Sequence, residues 1–282
     1  MTERLSDIVA RIRSVRQLSS VIGAMRGIAA ARAREARERV DGVRAYAATV
    51  GAAIGQALAI VAEQDVPAGS AAGRDGRVII ALGAEQGFAG AFSRRVLDVA
   101  EERMRNLRRC ELMLLGTRCL ATAEERGLSV SWSAAMAAHV DEVAALADRV
   151  TEQLYARLEA GRAAQVTVVH ATPAAGEIRV VERPLAPFDF ARFSTPRNRA
   201  PPIVTLSPPL LLAELAEEYV FADLCEAITL SLAAENEARM RAMTAAKTNV
   251  VTMLEELIGR SRQLRQEEIT DEIIELASQG RR

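Results

Sequence analysis

A glycine-rich segment between a predicted strand and a predicted helix is the part of this sequence best suited to chemistry. It runs GAEQGFAG, from Gly83 to Gly90. Backbone amides in such a position can point at a phosphate group. The spacing, however, is not that of GxGxxG, and no Gly-Lys-Ser/Thr follows. We interpret the segment as a tight strand-to-helix turn, and we predict no nucleotide or other cofactor.

The other reactive side chains are isolated from one another. His139 and His170 have no paired His or Cys at the spacing of metal ligands. Neither Ser93 nor Cys119 stands in a recognisable nucleophile–base arrangement. We therefore predict no catalytic and no metal-binding residue. The cysteines are too few and scattered for a disulfide framework, which is typical of a reducing cytoplasm: Cys110, Cys119 and Cys225.

The charge balance excludes one class of partner. The chain carries 36 Lys and Arg against 37 Asp and Glu, a formal net charge of −1. A general nucleic-acid binder has a basic excess, so we expect no nucleic acid. Two interpretations stay open for a cluster of arginines diluted by acidic residues: a solvated helix face, or a positive collar that meets an acidic partner. The cluster is Arg32, Arg34, Arg37, Arg39 and Arg44.

The N-terminal residues give no sign of targeting to a membrane. They are charged and helical, without the apolar core of a signal peptide. We find no run of 18 or more apolar residues, and we therefore expect no segment that spans a membrane. A chain of this kind would serve a membrane machine from the aqueous side.

Two long helices are predicted at the ends of the chain. Residues 5–61 contain no proline, and apolar residues recur there every seven positions, which predicts a left-handed supercoil about 85 Å long. One series is Ile8, Val15, Ile22, Ala29, Ala36, Val43, Val50 and Ala57. Its companion is Leu5, Ile12, Ser19, Arg26, Ala33, Val40, Ala47, Ile54 and Val61. The stripe of the second helix, over 210–278, is Leu215, Phe221, Leu224, Ile228, Leu232, Met243, Ala246, Val250, Met253, Leu257 and Leu264.

The middle of the chain has a different period. Strands are predicted at 77–83, 111–115, 128–132, 165–170 and 178–182, and helices at 92–107, 117–126 and 140–158. This alternation predicts a parallel sheet with helices on its faces, and the last two strands can form an antiparallel edge.

These elements predict the fold class: α/β with long helices. Each long helix has one apolar stripe and needs a partner, so we expect residues 3–60 and 210–278 to pair as an antiparallel coiled coil. A Rossmann-like α/β domain is inserted between them. The predicted segments are a helix at 1–62, a linker at 63–76, the α/β domain at 77–184, an irregular connection at 185–209 and a helix at 210–282. The expected shape is a rod with a knob, which suits force transmission more than catalysis.

Motifs at both ends resemble the gamma subunit of F-type ATP synthases. Near the start, residues 11–15 (RIRSV) are similar to the family's R-I-x-S-V pattern, and residues 24–32 (AMRGIAAAR) to its A-M-x-M-V-A-A-S-K segment. Near the end, residues 235–243 (ENEARMRAM) and 265–273 (RQEEITDEI) resemble its S-E-x-x-A-R-M-x-A-M and R-Q-x-x-I-T-x-E-L signatures. The order of helix, α/β domain and helix also agrees over the whole chain.

The resemblance implies a non-catalytic rotor shaft. Its partners would be the alpha and beta subunits of the catalytic head, the epsilon subunit and the membrane ring of c subunits, on the cytoplasmic side of a bacterial membrane. Met25, Arg32 and Arg34 would touch the acidic lever region of the beta subunits. The upper part of the head would be engaged by Arg265, Gln266, Ile269 and Thr270.

The sequence departs from the family at two places. Residues 20–23 (SVIG) replace the charged K-I-T-K stretch, and residues 202–208 (PIVTLSP) replace an aromatic and acidic one. The chain thus resembles a divergent form of the subunit, and an alternative, second-copy form stays open. The coupling ion, proton or sodium, is set by other subunits. Two alternatives stay open, a coiled-coil scaffold protein and a nucleotide-dependent enzyme built on the α/β domain.

Overall fold

The computed structural model describes residues 5–62, 76–105, 107, 109–174, 178–194 and 203–279. They group into two compact units. One contains residues 1–30 and 239–282, and the other contains residues 31–238. Two helices contribute to both units: α1 (Leu5–Ala62) and α5 (Pro208–Gln279). Pro208 and Pro209 open α5, where a missing backbone N–H and a fixed φ are tolerated.

The larger unit is built on a five-stranded sheet. Its strands are β1 (Arg77–Leu82), β2 (Cys110–Leu115), β3 (Trp132–Ala134), β4 (Gln165–Pro173) and β5 (Ile178–Ala186). The strand order is β3-β2-β1-β4-β5, with every pair parallel except β4 and β5. The expected parallel sheet with an antiparallel edge is therefore confirmed.

Helices cover both faces of this sheet. On one face, α2 (Phe92–Arg105) and α3 (Thr117–Glu125) bury apolar residues against β1, β2 and β4. On the other face, α4 (Val143–Glu159) and part of α5 pack over the alternate strand residues. This coverage explains why β1 and β2 read as continuous apolar runs, because a strand buried on both sides needs no polar alternation.

Within the larger unit, α5 is a core helix. Between Ala222 and Ala238 almost every side chain is buried, including several charged ones. The reason is that α5 lies between the sheet and α1. The two helices run antiparallel, since the partner's number falls as the α1 number rises. The contacts are Arg37–Glu237, Arg44–Glu226 and Tyr46–Glu218.

The smaller unit is a pair of helix segments held by an apolar seam. Val15 and Ile22 of α1 are buried with Met243 and Val250 of α5, each pair spaced by seven residues as a heptad repeat requires. Along all of α1 the predicted series is well matched by burial: Ile8, Ile12, Val15, Ile22, Ala29, Ala33, Ala36, Val40, Ala47, Val50, Ile54 and Ala57 are buried. The assignment of Met253 to the α5 stripe was wrong. It is 42% exposed, and Leu254 packs against the seam instead.

Some element boundaries differ from the sequence prediction. The third strand was expected at 128–132, but β3 begins at Trp132. Ser131, just before it, donates to the Leu112 carbonyl from both its amide and its hydroxyl. β5 extends to Ala186, into the segment predicted as irregular. Of the predicted linker at 63–76, only Gly76 lies within the described residues, and residues 195–202 of the predicted connection lie outside them.

One expectation about membranes needs correction. By length and composition alone, the helix over Leu5–Val61 is long and apolar enough to cross a membrane, with a mean hydropathy of 1.3 over 18 residues. The uncharged, alanine-rich residues 45–62 explain this result. One helix of this kind does not by itself indicate a membrane span, because core helices can have the same length and composition.

Candidate functional site

The glycine-rich loop after β1 owes its glycines to packing and backbone conformation. A Cβ atom at Gly83 would lie 2.2 Å from both Cβ and Sγ of Cys119, so no larger residue fits where α3 closes on the strand. Gly90 adopts φ of 61°, which glycine reaches without strain. Phe88 also has a positive φ, 63°, although its side chain is 66% exposed. A bulky residue in this conformation is uncommon and indicates a loop held in shape by its surroundings.

The loop already holds an acidic group from its own chain. The backbone amides of Glu85 and Gln86 each donate to a carboxyl oxygen of Glu235 at 3.2 Å. Glu235 belongs to α5 and is only 2% exposed. Its carboxyl group therefore accepts the hydrogen bonds that these amides would have to donate to a phosphate. This contact supports the interpretation of the loop as a structural turn.

The Glu85 side chain ties the neighbouring loops together. Its carboxyl oxygens accept from the Thr117 amide at 2.9 Å, the Thr117 hydroxyl at 2.8 Å and the Met136 amide at 2.7 Å. Thr117 opens α3 and Met136 follows β3, so the carboxyl ends of three adjacent strands meet at one side chain. Gly116, before α3, provides no side-chain cap, and Glu85 supplies it from another loop.

Two buried thiols in the larger unit are not activated. Burial raises the pKa of Cys119 to about 11, against a smaller lowering by a hydrogen bond with Ser93. Burial also raises the pKa of Cys225 to about 12. A protonated, buried thiol is a poor nucleophile. Among the described residues, no group of three or more His, Cys, Asp and Glu could hold a metal ion.

The two histidines lie in different environments. His139 is exposed, with its Nε2 3.4 Å from the Arg32 guanidinium. His170 is completely buried, and its Nδ1 donates to the Ala171 carbonyl at 3.2 Å, while its buried Nε2 has no hydrogen-bond partner among the residues that the structure describes. Burial, reinforced by the nearby Arg183 charge, lowers the pKa of His170 to about 4. The imidazole is therefore neutral at physiological pH.

A network of charges joins α1, β5 and α5 within the larger unit. Glu226 accepts from Arg44 at 2.8 Å and from Arg183 at 2.9 Å. Burial alone would raise the pKa of Glu226, but these two arginines outweigh it and the net pKa is lowered. The neighbouring Asp223 binds Arg183 and Arg192 at longer distances, 3.3 and 3.4 Å. There burial prevails and raises the pKa of Asp223.

The arginines of α1 are partly engaged inside the chain. Ion pairs to acidic residues of the same unit occupy Arg37, Arg39 and Arg44. Arg34 is exposed and Arg32 is half-buried. Of the five arginines in the predicted collar, three therefore already have an acidic partner within the chain, although their side chains are more than half exposed.

The predicted contact residues near the C-terminus are exposed. All four lie on the outer part of α5 in the smaller unit: Arg265, Gln266, Ile269 and Thr270. Ile269 is 49% exposed, and the Thr270 hydroxyl donates to the backbone carbonyl of Gln266, one turn earlier, at 2.8 Å. Met25, also predicted, is partly buried against the seam of that unit. Arg32 and Arg34 belong to the larger unit.

Two sets of exposed apolar residues escaped the sequence analysis. On α1, Leu18, Val21 and Ile28 are 50%, 55% and 55% exposed beside Met25. On α5, residues Ile273, Ile274 and Leu276 are 60%, 61% and 70% exposed beyond Ile269. A second apolar series next to the seam was the signal that could have revealed them. Apolar residues at helical spacing that remain exposed indicate a partner surface.

Comparison with known proteins agrees with this architecture. The family model described as ATP synthase matches residues 4–279. The ATP synthase gamma chain of Fuscovulum blasticum is 28% identical over 296 residues, covering 97% of each chain. That of Moorella thermoacetica is 26% identical over 280 residues, with the same coverage.

Solved structures share the fold at low identity. A chain in the Euglena gracilis mitochondrial ATP synthase, in a structure of OSCP, F1 and c-ring, has a TM-score of 0.66 and 11% identity, and the match covers 98% of this chain and 93% of that one. A chain in the Tetrahymena thermophila central stalk and c-ring has a TM-score of 0.57 and 18% identity, over 80% of this chain and 99% of that one. Because the family model spans nearly all of the sequence and the fold agrees, this chain belongs to the family of ATP synthase gamma chains.

Proposed function

We propose that this chain is the central rotor shaft of a rotary F-type ATP synthase. In that role it couples ion-driven rotation of the membrane ring to ATP synthesis or hydrolysis in the head of alpha and beta subunits. The observation that carries the proposal is the family match over residues 4–279 of a chain that begins and ends in long helices. Faces of a helix that differ around its axis can bias three otherwise equal sites in turn as the helix rotates.

The chain is a non-catalytic subunit, and nucleotide chemistry belongs to other subunits. In the loop with the best context for a phosphate, two backbone amides donate to the Glu235 carboxylate instead. The buried thiols of Cys119 and Cys225 have raised pKa values and do not act as nucleophiles. We expect the purified chain alone to bind no nucleotide tightly and to hydrolyse none.

The outer end of α5 supports a contact inside the head. Arg265 and Gln266 offer polar donors, and Ile269 begins an exposed apolar series along the helix. We assign Arg265, Gln266, Ile269 and Thr270 to the upper part of the head. A guanidinium can bind a partner carboxylate or carbonyl through two parallel bonds, which fixes orientation as well as affinity.

Exposed and half-exposed residues of α1 support a contact with the beta subunits. We assign Met25, Arg32 and Arg34 to their acidic lever region, with Leu18, Val21 and Ile28 as apolar neighbours. The exposed guanidinium of Arg34 supplies charge complementarity to carboxylates. The ion pairs of Arg37, Arg39 and Arg44 leave those residues a smaller part in this contact.

The remaining partners place the chain at a membrane surface. The α/β domain contacts the epsilon subunit and the ring of c subunits, and the complex lies on the cytoplasmic side of a bacterial cell membrane. The chain itself is a peripheral subunit. Copurification of the tagged chain with alpha, beta, epsilon and c subunits tests this assignment, and a chain that copurifies with none of them would contradict it.

The contact at the end of α5 has its own test. Arg265→Ala combined with Gln266→Ala should lower the ATPase turnover of the assembled head, because charge-assisted contacts contribute about 1.5–3 kcal/mol each. Both side chains are exposed, so the unfolding free energy of the chain should change by no more than about 0.5 kcal/mol.

A matched pair of the same residue types lies three positions earlier. Arg262 and Gln263 are also exposed, but they lie outside the segment that resembles the family signature. Alanine at these two positions should reduce turnover much less. Equal turnover in both double variants and the parent would contradict the placement of residues 265–270 inside the head.

A further inference from the structure

The carboxyl edge of the sheet is the place where an α/β domain normally binds a ligand. In sheets of this kind, ligands occupy the crevice beyond the strand ends at the point where the strand order reverses. Here that point lies at β1, which has β2 on one side and β4 on the other. The loop beginning at Gly83 leaves β1 at this point.

An acidic side chain from a distant element fills the loop. Glu235, 150 residues beyond Glu85, reaches both amides with its two carboxyl oxygens, one to each amide. Two successive amides that converge on one group form the type of backbone concavity that binds anions. The group is 2% exposed, so it is fixed in place by packing and has little access to solvent.

We propose that the loop at Glu85 and Gln86 is an anion-binding site occupied by the chain's own carboxylate, Glu235, and that this contact holds the loop in shape. When Glu235 is shortened, the same amides donate to a small carboxylate such as formate. Glu235 is thus a positioning residue, which links α5 to the surface loop that presents Phe88. No known property of the rotor shaft is needed for this inference, so its failure would leave the proposed function untouched.

The same contact extends further through Glu85. Its amide donates to Glu235, and its side chain accepts from the amides of Thr117 and Met136. A displacement of Glu235 is therefore transmitted through one residue to the start of α3 and to the segment after β3. Loss of the Glu235 carboxylate should loosen these amides too, though less than those of Glu85 and Gln86.

Hydrogen exchange of the full-length chain, resolved to single residues, tests the proposal. In Glu235→Ala, the amides of Glu85 and Gln86 should exchange about 10-fold faster or more, because each loses a bond to a charged acceptor. Millimolar sodium formate should slow both amides again, while sodium chloride at the same ionic strength should not. Rescue confined to these two amides distinguishes an anion site from a general loss of packing.

The matched control is another buried carboxylate on the same helix. Glu237, 4% exposed, forms an ion pair with Arg37 of α1. Glu237→Ala should leave exchange at Glu85 and Gln86 unchanged and unaffected by formate. If Glu235→Ala does not fold, Glu235→Gln keeps the side-chain size but offers one acceptor oxygen, so exchange should rise at these amides without any response to formate.

Two results would overturn the proposal. The first is parental exchange at Glu85 and Gln86 in the folded Glu235 variants, which would mean that the carboxyl group does not hold the loop. The second is faster exchange in Glu235→Ala that formate does not reverse, which would mean that the vacated amides do not bind an anion.

Discussion

His170 is predicted to make the protein sensitive to mild acid. The imidazole is fully buried on β4, and its pKa is lowered to about 4 by burial and, secondarily, by the Arg183 charge. The Ala171 carbonyl and Glu226 act in the opposite direction but do not compensate. Replacement of His170 by Asn removes the titrating group and can retain a donor near the Ala171 carbonyl.

The size of the effect follows from the two pKa values. In the unfolded chain the imidazole titrates near its ordinary value of 6.5, and in the folded chain near 4. Between these values the unfolded state binds more protons, so stability falls as the pH falls. Each pKa unit corresponds to about 1.4 kcal/mol, which gives a loss of about 3 kcal/mol once the pH reaches the folded value.

Denaturant unfolding followed by circular dichroism measures this difference. We expect the parent to lose about 1.4 kcal/mol of unfolding free energy per pH unit, relative to His170→Asn, between about pH 6 and pH 4.5. At about pH 7.5 the difference between the two proteins should no longer depend on pH. The comparison cancels contributions of carboxylates that titrate in both proteins, including the lowered pKa of Glu226.

The other histidine provides the control. His139 is exposed, and His139→Asn should preserve the pH dependence of the parent. Parallel stability curves for the parent and His170→Asn over this range would refute the reasoning, because protonation of a neutral buried imidazole must lower the unfolding free energy of the protein.

Two further predictions concern packing. Ile54 is fully buried, so Ile54→Ala should lower the unfolding free energy by about 2–5 kcal/mol, whereas Ile28→Ala, at a position 55% exposed, should change it by less than about 0.5 kcal/mol in the same denaturant titration. Arg192→Ala should cost about 1–2 kcal/mol in thermal unfolding, and Arg192→Lys should restore only part of it, because lysine keeps the charge but cannot stack its planar group. The Arg192 guanidinium carbon lies 5.1, 5.0 and 4.4 Å from the rings of Phe188, Phe193 and Tyr219. Full stability of Arg192→Ala would show that these ring contacts contribute nothing.

The long helices and the sheet could be read from the sequence because their signals are periodic and local. The burial of a residue such as Ile22 or Ala36 is predicted by apolar residues seven positions away on the same helix. The apolar runs of β1 and β2 likewise indicate strands covered on both faces. The boundary of β3 was predicted less accurately: it was expected at 128–132 but begins at Trp132, because the end of a strand depends on pairing with another strand and not on a local period.

The identities of the fixed contacts depended on the tertiary structure. The sequence places Glu235 in a family signature, but nothing near it indicates that its carboxyl group lies against the loop after β1, 150 residues earlier. The burial of Leu254 in place of Met253 is a similar case. A heptad pattern does not decide which of two adjacent apolar residues faces the seam, and contact with the partner helix does.

The burial of His170 shows the same limit. In sequence it is a lone histidine in a strand, with no indication of its neighbours. Its surroundings include Arg183 and Glu226, from β5 and α5, and its pKa depends on both together with the loss of water around the ring. The sequence by itself determined which segments are helices and strands and which of their faces are apolar, because those properties repeat along the chain. Only the tertiary structure decided which acidic group meets which amide or arginine, because such pairs form between elements brought together by the packing of apolar faces.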